Sequence, residues 1–112
     1  MLMAIAPHTL QSAFELLKLN RTALFQAGEA ELEAKKVLES KEVEILNTVD
    51  AKELGPNDKA REARIKSMLE VERNAVDSLS KKVREAKVGH ELAEMSVDLL
   101  KWEIRQKESE KA

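Results

Sequence analysis

Two polar side chains, His90 and Glu72, stand on a line of otherwise apolar residues, and they are the positions where this sequence most invites chemistry. A histidine enclosed between helices could sense pH or ligate a metal. A metal site needs companions, however, and there is no cysteine in the chain, while His8 lies far away in sequence. A di-iron bundle would carry Glu three residues before the histidine, where this chain has Lys87. The reading that remains is a histidine hydrogen-bonded at a helix interface. Glu72 could fix the register of paired helices, as polar seam residues do, but the simpler expectation is that its carboxylate reaches the edge and pairs with Lys35 or Lys36.

The other charged residues describe surface. Glu31–Lys35, Glu62–Lys66 and Glu103–Lys107 are spaced i,i+4 with the acid first, each contributing about 0.3–0.5 kcal/mol to an exposed helix. Lys81, Lys82, Arg84 and Lys87 form the densest basic run, and Lys59, Arg61, Arg64 and Lys66 the next. A formal charge of −2, with acids among the bases and no aromatic residues between them, favours a solvated face; contact of Lys81, Lys82, Arg84 and Lys87 with nucleic acid is the alternative. No Gly-rich phosphate loop and no nucleophile–base constellation occurs, so no catalytic residue, cofactor or metal is expected, and the chain reads as a non-enzyme.

The elements that hold these residues are helices. Charged residues make up 36% of the 112 positions and aromatics 3%, with three glycines and two prolines, which leaves little material for strands. From Ile65 the positions Leu69, Val76, Leu79, Val83, Ala86, Ala93, Val97, Leu100 and Ile104 recur at steps of three and four, a heptad seam about 60 Å long if helical throughout. Helix 1 is expected over about 9–49, opening on Thr9 as N-cap, with a seam of Ala27, Ala30, Ala34, Leu38 and Ile45 beyond Gly28. Gly28 is either a close contact with the facing helix or a bend. The loop is expected at about 50–56. Gly55 can take positive φ, Pro56 stops the helix and Asn57 caps helix 2, which runs over about 57–107.

Two long helices joined by one short loop predict an all-α, antiparallel two-helix coiled-coil hairpin forming one domain over 1–112. Counting outward from the loop, Leu38 and Ile45 face Ile65 and Leu69, and Leu10, Phe14 and Leu17 lie opposite the Ala93 to Val97 region. Away from the loop both helices widen, with Val88, Leu92, Met95, Leu99 and Trp102 forming a second stripe beside the seam. Two helices bury one stripe each, so the surplus needs the N-terminal segment, a foreign helix or another copy of the hairpin; self-association is the favoured reading, a homo-oligomer, dimer or tetramer, built as a helical bundle around Phe14, Leu17, Leu92, Met95, Leu99 and Trp102. The apolar opening from Met1 to Ala6 is too short to span a bilayer and is expected to pack across the helix ends rather than anchor the chain; the absence of cysteine suits the cytoplasm.

The run Gly55-Pro56-Asn57-Asp58-Lys59-Ala60-Arg61 and the Glu/Ala/Lys-rich helix after it resemble small helical proteins encoded in phage and prophage genomes, whose second helix opens on Gly-x-Asn-x-x-x-Arg. The resemblance covers the loop and helix 2, about half the chain, and departs from the family at Pro56, where a lysine is frequent. It carries over Gly55, Asn57 and Arg61, which physics assigns to the turn, the cap and an exposed contact, and it implies a viral or mobile-element setting without supplying an activity. The function expected is therefore a coiled-coil interaction or accessory protein. A nucleic-acid accessory protein in phage recombination or replication, and an inhibitor whose turn contacts a host protein, are the alternatives.

Overall fold

The computed structural model describes residues 9–111, without the side chain of Lys111, so the apolar opening from Met1 to Ala6 and His8 lie outside the described residues. The protein is all-α: α1 is Leu10–Thr48, α2 Ala51–Leu54, α3 Asp58–Met68 and α4 Glu70–Lys111, with no strand among the described residues. Thr9 starts α1 as expected. Its Oγ1 accepts from the Ser12 backbone N–H (3.1 Å) while the Thr9 N–H donates to Ser12 Oγ (3.2 Å), a reciprocal cap with serine in the place usually held by Glu or Gln.

The segment expected as loop contains one helical turn, α2. Asp50 caps it, accepting the Lys52 N–H at 3.1 Å, and its last residue, Leu54, is buried. Gly55 then takes φ +146°, the conformation for which glycine was assigned, and Asn57 Oδ1 accepts the Ala60 N–H at 2.8 Å to open α3. The long second helix is interrupted once, at Leu69 (φ −107°, ψ 20°). The hydrogen-bond ladder crosses this point, from the Leu69 N–H to Ile65 O (3.1 Å) and from the Arg73 N–H to Leu69 O (2.9 Å). Neither glycine nor proline marks the site in the sequence.

The chain divides into two compact units. The first joins the start of α1, through Gln26, to α4 from Val83 onward. Within it Arg21 meets His90 and Phe14 meets Lys101, so residue numbers fall along one helix as they rise along the other and the two segments run antiparallel. Its buried residues are Ala13, Ala93 and Val97. Phe14 therefore stands near residue 101, somewhat more than a turn beyond the Ala93 to Val97 region expected. Ile104, placed on the seam by spacing, is 41% exposed.

The second unit, 27–82, holds the remainder of α1, the turn with α2 and α3, and the start of α4, with Leu54 and Leu69 buried. Ala27, Glu31, Ala34, Leu38 and Ile45 are half-buried, whereas Ala30 is exposed. A heptad seam steps four and then three, so Glu31 takes the position that residue type alone assigns to Ala30. Gly28 is not a close-contact glycine, because a Cβ built there meets no atom within 4 Å. Gly28→Ala is accordingly expected to raise stability by about 0.5–1 kcal/mol through helix propensity alone, read as a higher denaturant midpoint with unchanged slope.

Candidate interaction surface

In the first unit the seam is broken by a polar layer. The Asn20 Nδ2 donates to Leu16 O on its own helix (2.8 Å), and its Oδ1 lies 2.7 Å from where a Cβ on Gly89 would stand. Gly89 thus makes room for Asn20, the packing role that was one of the two readings of Gly28. One residue further on, His90 Nδ1 lies 2.9 Å from Glu94 Oε1 and His90 Nε2 accepts from Arg21 Nε at 3.3 Å. These partners fit one tautomer, with the proton on Nδ1 toward Glu94 and the lone pair on Nε2 toward Arg21. His90 is therefore a hydrogen-bonded interface histidine, tied to both helices. Among the described residues no group of three or more His, Asp or Glu could hold a metal ion.

In the second unit Glu72 is ion-paired with Lys41 at 2.6 Å, not with Lys35 or Lys36. Lys35 sits instead 3.6 Å from Glu31, its i,i+4 partner. The extra helical turn of α2 is chain that the outward count from the loop did not include, and Lys41 lies closer to the turn than the lysines first assigned. The Lys41 hydrogen bond foremost, then the Glu72 backbone N–H and the ammonium charge, hold the Glu72 carboxyl below its ordinary value of 4.5, against partial burial that raises it. A carboxyl depressed in the folded state contributes stability that is complete above its unfolded value and is lost as pH falls through the folded one. The melting-temperature gap between the parent and Glu72→Gln should thus be open at neutral pH and close as the pH falls below about 4.5. A gap independent of pH would deny the pair that contribution.

At the turn Arg61 does not stand free as a contact. Its Nε donates to Gly55 O at 3.0 Å, its guanidinium lies 3.8 Å from Asp58, and it is half-buried, so it clasps the loop that Gly55 and Asn57 shape. Arg61 lines an open cleft together with Leu46, Val49, Leu54, Ile65, Asp58 and Glu62.

The six residues expected to form an oligomer core are not on one face. Leu17 is half-buried in the seam, and Phe14, 44% exposed, lies beneath Lys101, whose Nζ is 5.4 Å from the ring centroid. At about 100° per residue, Lys101 is roughly 160° around α4 from Leu99 and about 180° from Leu92. Phe14 therefore lies beside the seam at one edge of the first unit, while Leu92, Met95 and Leu99 lie on the outer face of α4, about 120–180° around the helix from the seam. With Val88 and Trp102 they form a line along α4 in steps of four, three, four and three, each 49–64% exposed. Lys81, Lys82, Arg84 and Lys87 are all exposed, and their spacing spreads them over most of the circumference of α4.

The fold and this surface define the class: an all-α chain in which α1 and α4 pack together and α4 carries an additional heptad line that is exposed among the described residues. Compared with protein-family models, curated proteins and solved structures, the chain shows no match. No helix among the described residues is long and apolar enough to cross a membrane.

Proposed function

We propose that this chain is a non-enzymatic interaction protein, a two-helix hairpin that works as part of a self-associated helical bundle. The observation that carries this reading is the exposed line of Val88, Leu92, Met95, Leu99 and Trp102, whose heptad spacing is that of a seam built to meet another helix. Exposed apolar residues scattered singly are ordinary, but five in register on one helix form a continuous patch. The cytoplasm and a phage or prophage setting are the context proposed for it, on the composition and on the Gly55–Asn57–Arg61 resemblance respectively.

Association stabilises a folded protomer by mass action, so the thermal midpoint should rise with protein concentration. Melts followed by circular dichroism over a hundredfold dilution series test this. A midpoint that stays fixed across the series contradicts self-association in that range.

A further inference from the structure

We infer that the face of α1 carrying Phe14, Lys18, Arg21 and Phe25 is a contact surface for single-stranded nucleic acid, with bases stacking on the two rings and phosphates meeting the cations. The inference does not depend on the α4 line and goes beyond self-association.

The sequence has two phenylalanines, and both lie on α1. Phenyl rings are ordinarily interior, yet Phe14 is 44% and Phe25 68% exposed. Steps of four, three and four lead from Phe14 through Lys18 and Arg21 to Phe25, so at about 100° per residue the four lie within an arc of roughly 60°. Lys18 and Arg21 are exposed too, and they stand between the rings along about 16 Å of helix. Lys101 of α4 adds a third cation, its Nζ 5.4 Å from the Phe14 centroid. Over residues 9–28 the only acid is Glu15, about 100° around α1 from Phe14. On α4, Glu94 is engaged by His90 Nδ1 at 2.9 Å, and His90 Nε2 accepts from Arg21 Nε at 3.3 Å. That bond holds Arg21 in place and leaves its guanidinium charge intact.

The order of these groups selects the ligand. Cations interleaved with rings match a chain in which phosphates alternate with bases, and every base offers a π-face whatever the sequence. A duplex keeps those faces stacked on one another and offers the rings nothing. A bilayer surface takes a helix whose apolar face is separate from its charges, whereas Lys18 and Arg21 divide this one. Lys81, Lys82, Arg84 and Lys87 supply charge without rings. The span from Phe14 to Phe25 corresponds to about five nucleotides at the stacked spacing of roughly 3.4 Å. An exposed cation–ring contact is weak, so a base arriving at Phe14 displaces Lys101 toward the phosphate.

Fluorescence anisotropy of a labelled oligothymidylate of about fifteen nucleotides, with the full chain at about 20 mM salt, tests the assignment. Binding is expected, falling with salt at a logarithmic slope of about −2 for three phosphate contacts. Phe25→Ala should weaken it about 5- to 150-fold, and Phe25→Leu, which keeps an apolar side chain and loses the ring, comparably. Lys18→Gln should reduce the slope by about 0.7. These positions are exposed, and an unchanged circular dichroism spectrum verifies that each variant is folded. No binding at this salt concentration overturns the inference, as does a Phe25→Leu chain that binds like the parent or a duplex of the same length bound equally well. Capture of the chain by phosphatidylserine-containing vesicles, with no anisotropy change for the oligonucleotide, overturns it in favour of a membrane surface.

Discussion

Replacing Met95 and Leu99 together by glutamate is expected to reduce the assembly to single chains while helix content, read by circular dichroism, stays near that of the parent. Both residues are exposed on the protomer, at 64% and 56%, and neither belongs to the seam between α1 and α4, so the substitutions remove little from the fold of one chain. In an assembly both positions are covered. Each substitution then removes about 1.5–3 kcal/mol of apolar burial and places a carboxylate in a low-dielectric contact. A total loss above about 4 kcal/mol corresponds to at least a thousandfold in affinity. Sedimentation at micromolar concentration reads the result directly, and a double variant with the parent's mass would show that this line is not the interface. Phe14→Glu supplies the comparison: Phe14 lies under Lys101, about 120–160° around α4 from Met95 and Leu99, and its replacement should leave the mass much less changed.

The second large effect is expected at the turn. Gly55 has φ +146° and ψ 168°, a region closed to residues with a Cβ, and a Cβ built there stands 2.9 Å from Ala60 Cβ and 3.2 Å from the Ala60 carbonyl carbon. Gly55→Ala therefore combines backbone strain of about 1–3 kcal/mol with an overlap that α3 relieves only by moving. The movement would disturb the Arg61–Gly55 hydrogen bond and the Asn57 cap, both anchored in the same few residues. For a domain near 100 residues each kcal/mol lowers the melting temperature by about 4–8 °C. Asn57→Ala, which removes only the cap, should cost less, about 1 kcal/mol. Equal melting temperatures for Gly55→Ala and Gly28→Ala would refute this account, since one glycine is required by its conformation and the other is not.

What could be read from the sequence was what periodicity and local chemistry determine. The alternation from Leu69 through Leu100 located the seam because burial of one face repeats every three and a half residues whatever the partner. Thr9, Gly55 and Asn57 announced their caps because capping depends on a residue and its next few neighbours. The misplacements came from longer range. Ala30 looked apolar enough for the seam, yet the heptad step put Glu31 there. The turn α2 is not legible in the sequence because Asp50 capping a four-residue helix looks, in one dimension, like loop chemistry. That missed turn accompanies the error in register, which gave Glu72 the wrong lysine.

The surface between elements was least legible. Periodicity shows that α4 has a second apolar stripe but not whether Phe14 of α1 shares its side of the helix pair, so spacing alone groups Phe14 with Leu92. Only the Phe14–Lys101 contact separates them. Gly28 and Gly89 show the same limit: each is a glycine inside a helix, and which one makes room for a neighbour depends on Asn20, a residue of the other helix.

The exposed line on α4 is proposed to be covered by another copy of the chain. Light scattering across a concentration series, with the emission of Trp102 recorded on the same samples, tests it most directly, because Trp102 is the single tryptophan and stands at one end of the line, 56% exposed on the protomer. Self-association through this line gives a mass of at least two chains and an emission maximum shifted to the blue, both reverting together on dilution. A single-chain mass at every concentration, with Trp102 emitting as in water, would contradict it.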